Sequence, residues 1–275
     1  MTATSQPLLR VANLTKRYSV RKPFAARLEF IALQNVCLEI RARTTLALVG
    51  SSGSGKSTLA LCIAALERPT SGSVFFNEQE LTTLPENQLR QIRPQIQLVF
   101  QDPARSLNPR WSALDLLAEP LLIQNRLTAA EREKKVLQLL DLVALPRNSA
   151  NKPAHQFSGG QKQRLAIARA LALQPQLLIL DEALSALDCS IQAQIANLLL
   201  DLQSQLSLTY LFITHDLAMA AYLADQVAVM HRGQLIESGA PQQVFRDPQH
   251  EATRALLTGA PPFAPNPQTP ALVNA

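Results

Sequence analysis

The sequence predicts an α/β fold built around a mostly parallel sheet, and three observations carry that prediction. Four short runs are almost continuously apolar: LALV at 46–49, IQLVF at 96–100, LLIL at 177–180 and YLFI at 210–213. Such runs read as parallel strands covered on both faces. Each run is followed at once by glycine or polar residues, namely Gly50, Gln101, Asp181 with Glu182, and Thr214 with His215. Open α/β sheets bind ligands beyond the carboxyl ends of their strands. Four strand ends are therefore expected to deliver chemistry to one edge. Finally, residues 106–158 hold no strand signal, so a helical subdomain is expected as an insertion between the second and third runs.

Composition sets the frame for these elements. The chain has 275 residues, 47% of them hydrophobic and 17% charged, enough for a substantial core. A net charge of +5 permits an acidic partner without demanding one, because the basic residues are scattered. Cys37, Cys62 and Cys189 are isolated, which fits a reducing compartment and argues against a disulfide framework or metal cluster. The amino-terminal stretch lacks the apolar run of a signal peptide. No apolar run approaches the roughly 18 residues of a membrane span. The chain is expected in the cytosol, free to dock on a membrane partner. The segment 259–275 holds five prolines and little charge, and is expected to be disordered or loosely extended.

Taken in chain order, the first chemical element is GSSGSGKST at 50–58, which fits G-x-x-x-x-G-K-[ST] between a strand and a helix. Gly50, Ser51, Ser52, Gly53, Ser54 and Gly55 let successive backbone N–H groups curl inward on phosphate oxygens. Lys56 brings a full charge to the outer phosphates, Ser57 offers a hydroxyl to Mg²⁺, and Thr58 closes the motif. The following helix, expected over 56–66, adds its positive end. Gln101 follows the second strand, within reach of metal and water. In the helical stretch, Thr128 and Glu131 stand in capping-box spacing. Val136, Leu139, Leu140 and Val143 then recur at helical period. The stretch WSALDLLAEPLLIQNRL also reads helical, interrupted by Pro120.

Ser158 and Gln161 repeat the capping-box spacing, and the cap accounts for both. It leaves Gly159 and Gly160 unexplained, because glycine weakens the first turn of a helix relative to alanine. Glycines there let a group approach the backbone closely. With the positive helix end behind them, that group is expected to be a phosphate. Asp181 and Glu182 end the third strand. Asp181 is placed for Mg²⁺ through water, and Glu182 for orienting or deprotonating the attacking water. His215 ends the fourth strand, where it can hold the γ-phosphate. Alone, a His or Gln after a strand is a capping or surface residue. Beside a phosphate loop and an acidic pair it reads as chemistry.

Together these elements resemble the nucleotide-binding subunits of ABC transporters over residues 8–260. The family's five motifs occur in order: GSSGSGKST, VFQDP, FSGGQKQR, LLILDEALSALD and ITHD. The resemblance implies a P-loop NTPase core with a mostly parallel sheet, an N-terminal antiparallel β subdomain and an inserted α-helical signature subdomain at about 104–173. It implies a nucleotide-binding domain over 8–258 and ATP with Mg²⁺ as cofactors. Catalytic roles fall on Glu182, His215, Lys56 and Gln101, and metal contacts on Ser57, Gln101 and Asp181. Tyr18 falls where the family stacks an aromatic ring on adenine. Two such subunits pair head to tail, so Ser158, Gly159, Gly160 and Gln161 would cover the ATP of a partner. Asp188 is similar to the residue linking the two sites, and on this resemblance Gln101 would couple the nucleotide to a membrane subunit.

FQDPARSLNPR, EATRALLTGAPP and the insertion after Tyr18 look like the oligopeptide/dipeptide/nickel importer branch. The chain departs from that branch at Ala183-Leu184 (usually Pro-Thr), at Phe157 (commonly Leu) and at Ala252 (usually aromatic). The implied partners are membrane permease subunits, a second ATP-binding subunit (a distinct paralogue or a second copy) and, indirectly, a substrate-binding protein, with no nucleic acid. The implied place is peripheral, on the cytoplasmic side of the cell membrane. The alternative is a soluble ATPase of the same type. A translation-factor relative would carry two phosphate loops, and a DNA-repair relative long heptads; neither is present.

Overall fold

The computed structural model describes residues 6–20, 28–102, 106–124 and 127–258. Part of the insertion after Tyr18 (21–27), part of the glutamine-loop segment (103–105) and the proline-rich tail (259–275) lie outside the described residues. The strands are β1 (Leu9–Val20), β2 (Leu28–Ile40), β3 (Thr45–Val49), β4 (Ser71–Phe76), β5 (Gln79–Glu80), β6 (Ile96–Val99), β7 (Leu177–Asp181), β8 (Thr209–Thr214), β9 (Gln226–His231) and β10 (Gln234–Gly239). The helices are α1 (Lys56–Ile63), α2 (Glu86–Ile92), α3 (Ala113–Gln124), α4 (Ala129–Leu142), α5 (Gly159–Leu171), α6 (Cys189–Leu206), α7 (Leu217–Leu223), α8 (Pro241–Arg246) and α9 (Glu251–Leu257). The chain divides into two compact units, 1–93 with 209–275, and 94–208.

In the first unit, an antiparallel sheet runs in the order β2-β1-β4-β5. This is the N-terminal β subdomain the resemblance implies. The unit's other strands run in the order β10-β9-β3-β8. There β3 lies parallel to both β8 and β9, and β10 is antiparallel to β9. Every residue of β3 and of β8 is buried, as their unbroken apolar runs predict. Burial pushes the Tyr210 hydroxyl well above its ordinary pKa.

Helix α1 ends at Ile63, three residues before the expected Leu66. Ala65 turns left-handed at φ 53°. The Leu66 N–H then bonds the Leu61 carbonyl at 2.9 Å, and the Ala65 N–H that of Cys62 at 3.1 Å. This is a Schellman closure with alanine where glycine is usual, so the sequence carries no glycine to announce it.

In the second unit β6 and β7 pair in parallel, from Ile96 opposite Leu177 to Val99 opposite Leu180. The run 96–100 is not fully buried as expected. Gln97 and Leu98 are half-buried, and Phe100 lies past the strand end, 47% exposed. Strand β6 is an edge strand, so one side of it lacks a covering neighbour. Helices α3, α4 and α5 pack on one another, and α5 also packs on β6 and α6.

Helix α4 starts at a complete capping box. The Glu131 N–H donates to the Thr128 hydroxyl at 3.3 Å, and the Thr128 N–H donates back to the Glu131 carboxylate at 2.8 Å. Helix α3 runs unbroken through Pro120, contrary to the expected interruption. Proline removes one i→i−4 bond. Ala113, Leu116 and Leu117 before it and Leu121 after it are all buried, and this continuous apolar stripe holds the helix together across the missing bond. Arg169 of α5 ties to Glu119 of α3 at 2.5 Å.

Candidate active site

Parallel pairing brings the first two motifs side by side in the first unit. Val49 and Thr214 are opposed across β3 and β8, so the phosphate loop and His215 leave neighbouring strand ends together. His215 is exposed. Asp216 caps α7, accepting the Met219 N–H at 3.0 Å, which fixes the turn that carries His215.

The loop 50–58 has the conformation its glycines allow. Gly50, Gly53 and Gly55 have φ of 155°, 76° and 107°. A Cβ on Gly50 would lie 2.2 Å from the Met230 carbonyl oxygen, and one on Gly55 2.5 Å from that of Ala32. These two glycines let the loop sit tight on its own unit. At Gly53, by contrast, a Cβ would meet nothing within 4 Å, leaving its backbone open to a ligand. Lys56 is 5% exposed, and its Nζ donates to the carbonyls of Gly50 at 2.9 Å and Ser51 at 3.0 Å. The ammonium is thus held inside the curl of the loop. Ser51, Ser52 and Ser57 are exposed on it, Thr58 is half-buried, and Ser54 is buried with a hydroxyl that meets no partner among the described residues. An open backbone cradle, a helix N-terminus and a centred ammonium fit a chain of phosphates. Among the described residues no cluster of three or more His, Cys, Asp or Glu forms a metal cage. Mg²⁺ held with phosphates does not require one.

In the second unit the same logic joins the other two strand ends. Val99 opposes Leu180, so Gln101 and the Asp181-Glu182 pair emerge together. Gln101 donates from Nε2 to Glu182 Oε2 at 2.9 Å. Glu182 sits at φ 49°, a left-handed conformation that disfavours non-glycine residues by about 1–2 kcal/mol. The turn is pinned by the Ser185 N–H and hydroxyl, both donating to the Glu182 carbonyl at 3.1 and 2.9 Å. Strain of this kind collects at functional sites. Asp181 and Glu182 are half-buried. Asp181, Gln101, Asp102 and Arg169 line a cavity of about 450 Å³.

The signature segment starts α5. The Ser158 N–H donates to the Gln161 side-chain oxygen at 3.1 Å, and the Gln161 N–H returns to the Ser158 hydroxyl at 3.4 Å, completing the predicted box. The glycines differ from each other. A Cβ on Gly159 would make an ordinary 3.6 Å contact with Leu187, whereas one on Gly160 would fall 2.6 Å from Ile191 Cγ2. Gly160 therefore has a reason inside its own chain, and Ile191 was missed because only the fold brings it there. Ser158 and Gly159 are exposed. Asp188 caps α6 by position, without a side-chain cap bond, and is exposed. Tyr18 is half-buried on β1, with Lys16 Nζ 4.9 Å from its ring centre. Of the departures from the branch pattern, Ala183, Leu184 and Phe157 are buried, where they contribute to packing, and Ala252 is half-buried.

Comparison with known proteins identifies the family. A family model described as ABC transporter matches residues 33–185. The chain is 46% identical over 266 residues to the di/tripeptide transport ATP-binding protein DppF of Pseudomonas aeruginosa, covering 96% of this chain and 82% of that protein. It is 43% identical over 261 residues to the dipeptide transport ATP-binding protein DppF of Haemophilus influenzae, covering 94% of this chain and 80% of that one. Among solved structures, a dimeric ATP-binding cassette in a post-hydrolysis state bound to ADP and Pi superimposes with a TM-score of 0.75 at 32% identity. That match covers 85% of this chain and 98% of the other. The family match extends over more than half of the 275 residues, and the chain belongs to the ABC transporter family.

Proposed function

We propose that this chain is the ATP-hydrolysing subunit of an importer of peptides, working under membrane permease subunits that it drives. The observation that carries the reading is the likeness to peptide-transport ATP-binding proteins along 96% of the chain. The chain is an ATPase whose cofactors are ATP and Mg²⁺. The transport names of the relatives speak against a soluble ATPase of translation or DNA-repair type. Its nucleotide-binding domain spans 8–258, with the signature helices at about 104–173 and the proline-rich tail beyond.

The roles follow from the residue types. Tyr18 stacks on adenine. Backbone N–H groups from Gly50 to Thr58 surround the phosphates, and Lys56 supplies their counter-charge. Mg²⁺, when bound, would neutralise charge on the outer phosphates, and Ser57, Asp181 and Gln101 are the residues that would hold it. Glu182 takes the proton of the attacking water, and His215 holds the γ-phosphate. Ser158, Gly159, Gly160 and Gln161 complete the site of a second ATP-binding subunit, and Asp188 links the two. ATP binding closes that pair and hydrolysis reopens it, so nucleotide binding shifts a two-state equilibrium in the membrane partners. The chain sits at the cytoplasmic face of the membrane. No helix among the described residues is long and apolar enough to cross it.

Purification of the chain with its membrane complex and substrate-binding protein, followed by a ligand screen on that protein, tests the reading. Di- or oligopeptide binding is expected. Binding of nickel alone would replace the peptide assignment, and recovery of the chain with ribosomes or DNA would overturn transport altogether.

A further inference from the structure

We propose that the nucleobase platform has two aromatic rings, with Phe30 of β2 forming it together with Tyr18 of β1. The inference rests on the reading of Tyr18 as the adenine contact and deepens it. Tyr18 and Phe30 are directly opposed in the antiparallel pairing of β1 and β2, so their side chains rise from the same face as neighbours. That face reaches the phosphate loop at Leu33, and the Lys16 amine on it bonds Glu67 and the Arg68 carbonyl beyond α1. Lys16, two residues before Tyr18, shares it and lies over the Tyr18 ring. Leu33 opposes Lys16, and its Cδ2 lies 3.2 Å from where a Cβ on Gly55 would stand.

A bulge puts Phe30 there. Lys16 opposes Leu33, but Arg17 opposes Ile31, so Ala32 is an extra residue on β2. Side chains three apart in a regular strand point to opposite faces. The extra residue restores Phe30 to the face of Leu33, and bulges beside active sites commonly re-aim a side chain in this way. The ring that results is 58% exposed, an apolar surface open to solvent roughly 10 Å along the strand from the loop contact at Leu33. A base bound there covers it, and stacking on an aromatic ring suits any nucleobase, because every base offers a π-face.

The test measures binding of ATP and of inorganic tripolyphosphate, which has no base, to the purified full chain and to Phe30→Ala, Phe30→Trp, Tyr18→Ala and Lys56→Ala. Phe30→Ala is expected to weaken ATP about tenfold and leave tripolyphosphate unchanged, with Phe30→Trp restoring ATP. Lys56→Ala is expected to weaken both ligands. Unchanged ATP affinity in Phe30→Ala, with a loss in Tyr18→Ala, would overturn the second ring and leave the Tyr18 reading intact. No effect from either aromatic variant would overturn both. Equal weakening of ATP and tripolyphosphate in Phe30→Ala would reduce Phe30 to a structural residue and overturn the proposal.

Discussion

Gly160 illustrates how one Cβ decides a local structure. The nearest atom it would meet is the Ile191 γ2 methyl, 2.6 Å away. That methyl branches at Cβ, so it cannot swing aside as the end of a long side chain would. Gly160→Ala should therefore lower stability by about 1–3 kcal/mol through overpacking. In an Ile191→Ala background the same change should cost markedly less, giving a double-mutant coupling near 1 kcal/mol. Denaturant unfolding of the four variants reads this directly; an unaltered cost in the Ile191→Ala background would place the clash elsewhere. The caps at Ser158 and Thr128 were legible because a box lies within four residues of sequence. The Gly160 contact was not, since its partner is remote in sequence and is brought in only when α6 packs on α5.

Elements were legible where period and local chemistry agreed, and less so at their ends. The buried strands β3, β7 and β8 lie within a residue of their apolar runs, and α4 begins at its box. Helix α1 ended early, at Ile63, closed by a left-handed alanine at Ala65 that gives no sequence signal. Pro120 was read as a break, but the buried stripe of α3 outweighs one missing hydrogen bond.

The box on α4 is testable by pH. The backbone N–H and then the hydroxyl of Thr128 donate to Glu131, holding its carboxyl below the ordinary 4.5. A carboxyl depressed by folding stabilises above its unfolded value and loses that contribution as pH falls through the folded one. The stability advantage over Glu131→Ala should therefore be constant near neutrality and shrink as pH drops below 4.5. Thr128→Ala should cost about 1 kcal/mol at neutral pH. Denaturant midpoints measured across that range check both, and an advantage that grew on acidification would contradict the box.

At the scale of the whole molecule, the chemistry reduces to two pairs of neighbouring strand ends. One sets the phosphate loop beside His215, and the other sets Gln101 on Glu182. The four strand ends were legible because parallel strands display their ligand residues at the carboxyl end, whatever the chain connection between them, but which ends are neighbours came only from the pairing of the strands. The second aromatic on β2 was not, because it depends on a bulge that shifts register by one residue. The central claim is that Glu182 drives ATP hydrolysis from its strained turn. Steady-state ATP turnover, with ATP binding measured alongside, tests it in the full chain and in Glu182→Gln. Loss of a general base predicts turnover lower by at least about 100-fold with ATP still bound. Turnover at the unsubstituted level in Glu182→Gln would contradict the account.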